Sequence, residues 1–287
     1  MAPLITTLLA LCAARLAHAG PLYDRDTLLR DFDAAVASSP TGTTMVVMDI
    51  GANDGQWTAG FAHSAAQKAR ARGVATRLYM VEPQPELRQR LEALAARTGA
   101  TFVSAAASKA NGTVPWQTQR GSKSASLVNA ASAAVKGSTG AVPSIDLAAL
   151  IEEAHSTDPP PGGATGGGAG PTARQGGGGD GASASPPRGV VSLVKIDVEG
   201  YEFSLLPWLL LRGALCLPRY LLIEWHLATL EPQRRLAGLS MRLAFDDMLR
   251  DGCTTPPVAV LHDGKPPHRG SRVTQSPNNT ALAHTRP

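Results

Sequence analysis

The amino-acid sequence predicts an α/β protein with a mostly parallel central sheet that is flanked by helices. Two apolar runs rich in β-branched residues, at 46–50 and 190–197, have the composition of strands buried on both faces. Each run is followed by a glycine-bearing turn and then by a helical pattern of apolar residues. Strands and helices continue to alternate along the chain, which is typical of a parallel sheet.

The predicted elements run from an N-terminal helix to a short last strand. In order, they are helix 24–36, strand 46–50, helix 56–72, strand 78–82, helix 83–94, strand 101–104, strand 113–116, strand 142–145, helix 146–154, strand 190–197, helix 200–211, strand 220–224, helix 232–250 and strand 258–261. Ser144 or Asp146 is expected to cap helix 146–154. The predicted apolar face of helix 232–250 consists of Leu236, Leu239, Leu243 and Leu249.

Two stretches lack the pattern of either element. Residues 117–140 are polar and poorly periodic, which predicts a loop. Residues 156–189 are rich in Gly and Pro, and they bury too little apolar surface to offset their ordering entropy. We interpret them as a disordered insert in one domain at 44–261, with an N-terminal helix at 20–43 and a loose tail at 262–287. A linker between two domains is the alternative.

Length and charge limit the classes of protein. The chain has 287 residues, of which 43% are hydrophobic, so it can build a sizeable core. Its net charge of +4, from 27 basic and 23 acidic residues, is too small and too scattered to indicate a nucleic-acid partner. Composition says nothing about the oligomeric state.

The first 19 residues have the pattern of a cleavable signal peptide. A short apolar run at 4–14 precedes Ala17-His18-Ala19, a small-x-small cleavage site before Gly20. A frayed N-terminal helix is the alternative, because the run lacks a preceding basic residue. The run is shorter than the ~20 apolar residues that cross a bilayer. We therefore expect a secreted protein, or one in the lumen of the secretory pathway, without a stable membrane span.

Cysteines and sequons fit this compartment without proving it. Cleavage would remove Cys12 and leave Cys216 and Cys253. These two could pair in an oxidising lumen, and buried free thiols fit the sequence equally well. N-glycosylation sequons at Asn111 and Asn278 are short enough to arise by chance.

Polar residues gather where the predicted strands end. In a parallel sheet of this kind, ligands bind outside the carboxyl ends of the strands. The candidate site residues at these ends are Asp49, Gly51, Asn53, Gly55, Glu82, Pro83, Ala106, Asp197, Glu199, Glu224 and His226.

The turn after the first strand indicates a ligand without phosphate. A dinucleotide site needs Gly-x-Gly-x-x-Gly, but here position 53 is Asn and the third glycine is missing. Asp49 would repel a diphosphate and would suit a cationic or amino-bearing ligand. Glu82 ends the second strand, where it can bind both hydroxyls of a ribose. Together these features describe a site for S-adenosylmethionine, which has a sulfonium, an ammonium and a ribose.

At these residues the sequence resembles a known family. Residues 49–55 are similar to the first motif of class I S-adenosylmethionine-dependent methyltransferases, in the form used by the FkbM family. Other segments resemble that family's motifs in the same order: Val81-Glu82-Pro83, residues 106–113, residues 142–150, residues 193–200 and Glu224-Trp225-His226. The insert has no counterpart in the family, and its closing antiparallel hairpin is poorly represented here.

The resemblance implies a Rossmann-like class I methyltransferase fold. It also implies methyl transfer from S-adenosylmethionine to a hydroxyl, often on a sugar or a glycosylated small molecule. The cofactor is then assigned to Asp49, Gly51, Asn53, Gly55, Glu82, Pro83 and Ala106.

The remaining strand ends carry the predicted catalytic groups. An alcohol is a poor nucleophile and needs a base or a metal ion. Asp197 and Glu199 are two residues apart, so both can point the same way from a strand end, and Glu224 and His226 repeat that spacing. We predict Asp197, Glu199 and His226 as catalytic residues, with His226 as a possible base. Asp197, Glu199 and Glu224 are predicted ligands for a divalent ion such as Mg²⁺.

Several alternatives stay open at this point. The chain could be a catalytically inactive module that binds the cofactor or a glycan, or an NAD-dependent enzyme, which the turn argues against. Asp197 could cap a helix, Glu199 could pair with Lys195, and His226 could simply pack. His63, His155 and His262 have no supporting pattern and are expected at the surface.

Overall fold

The computed structural model describes residues 24–118, 125–127, 139–156 and 189–263. The predicted signal peptide, nearly all of the insert, and the tail beyond residue 263 lie outside these ranges. Among the helices of the described ranges, none is both long and apolar enough to span a membrane.

Within these ranges the chain forms ten strands and six α-helices. The strands are β1 (Thr44–Ile50), β2 (Ala75–Val81), β3 (Thr101–Val103), β4 (Ala106–Ser108), β5 (Gly112–Thr118), β6 (Ala125–Leu127), β7 (Thr139–Asp146), β8 (Val190–Ile196), β9 (Tyr220–Glu224) and β10 (Ala259–Asp263). The helices are α1 (Arg25–Ala37), α2 (His63–Arg70), α3 (Arg88–Thr98), α4 (Leu147–His155), α5 (Glu202–Leu211) and α6 (Pro232–Gly252).

Six parallel strands form the central sheet, in the order β10-β9-β8-β1-β2-β3. This confirms the predicted α/β, Rossmann-like fold with helices on both sides of the sheet. The edge strand β10 runs parallel to β9. In the described part of the chain, therefore, the central sheet has no antiparallel closing strand of the kind found in the family that the sequence resembles.

The two faces of the sheet carry two separate hydrophobic cores. Along β1, Met45 and Val47 pack on the side of α1 and α2. Val46, Met48 and Ile50 alternate with them and pack on the side of α4, α5 and α6. Because successive side chains of a strand point to opposite faces, a strand covered on both sides is apolar at nearly every position, and an exception such as Asp49 needs a buried partner. The apolar run at 46–50 has this origin.

A second sheet of four strands, in the order β4-β7-β5-β6, follows β3 along the chain. Strand β5 is antiparallel to both β7 and β6. The prediction of a loop over 117–140 was wrong at the end of β5, at β6 and at the start of β7. The three residues of β6 are too few for a periodic pattern, and only pairing with β5 makes them a strand.

The last helix was predicted correctly, but most of its predicted buried face was wrong. In α6, Leu236 and Leu243 are 74% and 62% exposed, whereas Gly238, Phe245 and Leu249 are buried. A Cβ at Gly238 would lie 2.5 Å from Leu230 Cδ1, so the helix backbone makes its close approach there. Of the four predicted leucines, only Leu249 lies on the same side of the helix as this contact.

Two local alternatives are resolved by the structure. Asp146 caps α4, accepting hydrogen bonds from Ala148 N and Ala149 N, whereas Ser144 Oγ donates to Ala110 O. Cys216 and Cys253 form a disulfide with a Cα–Cα distance of 5.4 Å, not two free thiols.

His155 is buried at the end of α4, so its predicted surface position was wrong. Its Nδ1 donates to Ile151 O at 2.8 Å, and Nε2 is buried without a hydrogen-bond partner in the described residues. Burial lowers the pKa of His155 to about 4. The native state therefore holds this imidazole neutral.

We expect His155 to make the protein acid-sensitive. Between pH 6.5 and 4 the unfolded chain binds a proton that the folded chain does not, so stability is full above pH 6.5 and falls as the pH drops. The full loss is about 3 kcal/mol. His155→Leu should flatten this slope in urea unfolding between pH 7 and 5. The free energy of unfolding of each protein is expressed relative to its own value at pH 8. If its slope against pH is then the same in the variant as in the wild type, the loss of stability in acid arises from other groups.

Candidate active site

The turn after β1 is shaped by close backbone packing. Gly51 has φ +81°, and a Cβ there would lie 1.7 Å from Asp197 O. Gly55 has φ +78°, and a Cβ there would lie 2.4 Å from Leu94 Cδ2. Asn53, at φ +49°, is one of the few residue types other than glycine that adopt this conformation. The two glycines are therefore required by the fold itself, whatever ligand the turn binds.

Asp49 lies below the turn in a buried ion pair. Its side chain is fully buried; Oδ1 accepts from Lys195 Nζ at 3.1 Å, and Oδ2 accepts from Thr58 Oγ1 at 2.7 Å. Lys195 Nζ also donates to Asp197 Oδ2 at 3.1 Å. Burial alone would lower the pKa of Lys195, but these two carboxylates raise it above its ordinary value. The charge of Asp49 is thus compensated within the protein, and its side chain does not line the cleft described below.

Glu82 presents a carboxylate that the backbone holds in place. It is 3% exposed, and its Oε2 and Oε1 accept hydrogen bonds from Asn53 N at 2.8 Å and Gln84 N at 3.0 Å. Burial raises the pKa of Glu82, and the two backbone hydrogen bonds offset part of that rise. The glycine turn and the second strand end are therefore joined through this side chain.

An open cleft lies at the carboxyl ends of the central strands. We call it the acidic cleft; its lining residues are Gly51, Asn53, Val81, Glu82, Pro83, Gln84, Ala106, Ala107, Trp116, Asp197, Val198 and Glu199. Three of these side chains are acidic and none is basic. Most of the predicted cofactor residues line it, and Trp116 of β5 is a lining residue that the sequence did not point to.

Three predicted catalytic side chains converge at one end of this cleft. One ligand atom from each of Asp197, Glu199 and His226 lies within 4.8 Å of the others. His226 Nε2 is 3.4 Å from Glu199 Oε2 and 3.7 Å from Asp197 Oδ1. We call these residues the carboxylate–imidazole cluster. Glu224, the third predicted metal ligand, is not a member, although its Oε1 lies 3.8 Å from His226 Nε2.

A tight turn of the backbone after β8 positions the side chains of Asp197 and Glu199. Glu199 has φ +52° and Gly200 has φ +100°. A Cβ at Gly200 would lie 2.2 Å from Thr229 Oγ1, so this turn packs directly on the segment that follows His226. The packing explains how side chains from two neighbouring strand ends reach the same point.

Glu202 is the functional candidate that sequence reasoning missed. It is fully buried in the first turn of α5, and its Oε1 accepts from His226 Nδ1 at 2.8 Å and from Val198 N at 3.1 Å. The signal was available, because Glu202 is the one charged residue in an otherwise apolar helix. A glutamate in such a stretch is costly to bury unless it has a specific partner.

The carboxylates around His226 control its charge. Burial alone would lower the pKa of His226, but the hydrogen bond to Glu202 and the charges of Glu202, Glu199 and Asp197 outweigh it and raise the pKa to about 9. At neutral pH the imidazole is therefore a cation in this arrangement.

Comparison with known proteins identifies no relative of this chain. The chain matches no family model, no curated protein and no solved structure. The fold is that of a Rossmann-like α/β protein, with the acidic cleft at the carboxyl ends of its central strands.

Proposed function

We propose that the protein is an S-adenosylmethionine-dependent O-methyltransferase acting on a hydroxyl of a sugar or a glycosylated small molecule. One observation carries the proposal: a single cleft is lined at one place by the Gly51 turn and Glu82, and at another by Asp197 and Glu199. A donor site at the first place would then lie next to an acceptor site at the second. The acceptor class comes from the resemblance of the sequence to the FkbM family.

The charge of the cleft favours this cofactor over a dinucleotide. The strand order from β3 to β10 is also that of dinucleotide-binding folds, so topology does not separate the two. A diphosphate would face the carboxylates of Glu82, Asp197 and Glu199 without a basic side chain in the lining. S-adenosylmethionine carries no phosphate and has two cationic groups, so the same lining attracts it.

The residues of the donor side would hold the cofactor in the following way. Each Glu82 oxygen accepts one backbone hydrogen bond and retains a lone pair for a ribose hydroxyl. Gly51, Asn53, Pro83 and Ala106 would contact the cofactor through the cleft wall. Gly55 and Asp49 act behind that wall, Gly55 by packing and Asp49 through Lys195.

The residues of the acceptor side would orient the hydroxyl and receive its proton. S-adenosylmethionine supplies an electrophilic methyl group, and holding the acceptor oxygen in line with it provides most of the acceleration. Asp197 and Glu199 line the cleft and are the nearest proton acceptors. A divalent ion such as Mg²⁺, held by Asp197 and Glu199, would lower the pKa of the hydroxyl. We also place the protein in the secretory pathway, since a disulfide fits an oxidising compartment.

Binding and transfer assays test the proposal. We expect calorimetry to detect S-adenosylmethionine and no NAD⁺, and we expect Glu82→Gln to weaken cofactor binding 10- to 100-fold by removing a charged hydrogen-bond acceptor. Glu86→Gln is the matched control, because Glu86 is exposed four residues further on and should leave binding unchanged.

An assay of the transfer of a labelled methyl group to a panel of glycans then distinguishes an enzyme from a module that only binds. Asp197→Ala should lower the rate at least 100-fold. Binding of NAD⁺ in place of S-adenosylmethionine would refute the donor-site assignment. Cofactor binding without transfer to any acceptor would favour the catalytically inactive module.

A further inference from the structure

We propose that Asp197, Glu199 and His226 directly bind a divalent transition-metal ion, and that Glu202 positions His226 for it. This assignment refines the acceptor half of the proposed site by placing an imidazole nitrogen, and not Glu224, in the ligand set. Its test needs neither cofactor nor methyl transfer, so it and the proposed function can fail separately.

The geometry of the cluster matches that of a small cation site. Ligand atoms about 2.0–2.2 Å from a tetrahedral Zn²⁺ lie about 3.4 Å from one another. His226 Nε2 lies 3.4 Å from Glu199 Oε2 and 3.7 Å from Asp197 Oδ1. The two separations that involve His226 are therefore within a few tenths of an ångström of those in a zinc site, and the Asp197–Glu199 pair lies within 4.8 Å. The three residues would fill three of the four positions. Asp197 and Glu199 line the cleft, so the fourth would open toward a substrate oxygen.

Glu202 provides the second, independent observation. Its carboxylate is fully buried and accepts from His226 Nδ1, while its Oε2 has no hydrogen-bond partner among the described residues. A metal-bound histidine typically donates its other ring N–H to such a carboxylate. With Nδ1 held as the donor, Nε2 is the atom that faces Asp197 and Glu199. A metal ion would displace the proton from Nε2, and Nε2 and the two carboxylates would then offer three electron pairs at one place.

Lys195 determines which oxygen of Asp197 faces His226. It donates to Asp197 Oδ2 at 3.1 Å, so Asp197 Oδ1 is the oxygen turned toward His226. Asp197 would therefore be a ligand through one oxygen. An imidazole nitrogen with two carboxylates suits Zn²⁺ and related transition-metal ions better than Mg²⁺ or Ca²⁺, which prefer oxygen ligands alone.

Direct metal binding to the full chain, first stripped with a chelator, tests this assignment. We expect one Zn²⁺ per chain by calorimetry, with Mg²⁺ binding at least tenfold more weakly. Pulsed electron paramagnetic resonance of the Mn²⁺-loaded wild type should show coupling to an imidazole nitrogen. This measurement needs no substitution and is unaffected by folding defects of a variant.

Variants then assign the roles within the site. His226→Ala should lose Zn²⁺ binding, and Glu202→Gln should weaken it 10- to 100-fold. Glu224→Gln should bind as the wild type does, with circular dichroism as the folding check for all three. The assignment is overturned if no divalent ion binds below millimolar concentration, if bound Mn²⁺ shows no nitrogen coupling, or if folded Glu202→Gln binds as tightly as the wild type.

Discussion

Gly51→Ala should destabilise the protein by more than about 4 kcal/mol, which is as large as the effect of the most disruptive core substitutions. The residue has φ +81°, and the added methyl would sit 1.7 Å from Asp197 O and 2.8 Å from Asp197 C. Both obstacles are backbone atoms, which cannot rotate away as a side-chain end can. Asp197 N is itself bonded to Ile50 O at 2.9 Å, so relief of the collision must separate β1 from β8.

Substitutions at two other glycines distinguish the cost of a steric collision from the cost of backbone strain. Gly73 has φ +75° with open space around it, so Gly73→Ala should cost only the ~1–2 kcal/mol of the left-handed conformation. Gly60 lies in a π-helical turn, Thr58–Ala62, that leads into α2, and it also faces open space, so Gly60→Ala should be neutral or slightly stabilising. Urea unfolding of the three variants measures the difference. Equal losses for Gly51→Ala and Gly73→Ala would mean that the strand ends are not packed as described.

Lys195→Met should cost about 3–5 kcal/mol, because it leaves a buried carboxylate without its cation. Asp49 is fully buried and its Oδ1 lies 3.1 Å from Lys195 Nζ. The exposed pair Lys68–Asp33, at 2.6 Å, offers a matched control with a lysine side chain that is 62% exposed. Lys68→Met should change stability by less than about 1 kcal/mol.

A double variant tests the cause of this loss. Asp49→Asn removes the charge that Lys195 compensates, so Asp49→Asn combined with Lys195→Met should recover much of the stability lost in the single variant. Chemical unfolding of the four proteins in the cycle gives the coupling energy. If the double variant is as unstable as Lys195→Met alone, the loss arises from packing of the lysine stem and not from an uncompensated charge.

The buried strands were the easiest part of the fold to predict. Apart from Asp49, the run at 46–50 is apolar at successive positions, and such a run fits a strand with helices on both faces. Strands β1 and β8 follow this pattern and lie side by side. Parallel pairing then brings strand carboxyl ends to one edge, which is why Glu82, Asp197 and Glu199 line the same cleft.

Contacts between residues that are far apart in the sequence were harder to predict. Asp49 looked like a ligand for a cationic cofactor, yet its cation is Lys195, which lies 146 residues away along the chain. The parallel register between β1 and β8 places the two residues side by side. Local sequence contains the acid and the lysine but not this register, so it could not distinguish a ligand-binding acid from a paired one.

By itself, the sequence determined the α/β class, the positions of the main strands and helices, and the gathering of acids at the strand ends, because periodicity and strand-end chemistry are local properties. The tertiary structure alone decided which face of α6 is buried, that Lys195 compensates Asp49, and that Glu202 anchors His226. The physical reason is the same in each case. Burial and charge pairing depend on which elements come into contact, and that depends on the packing of the whole chain.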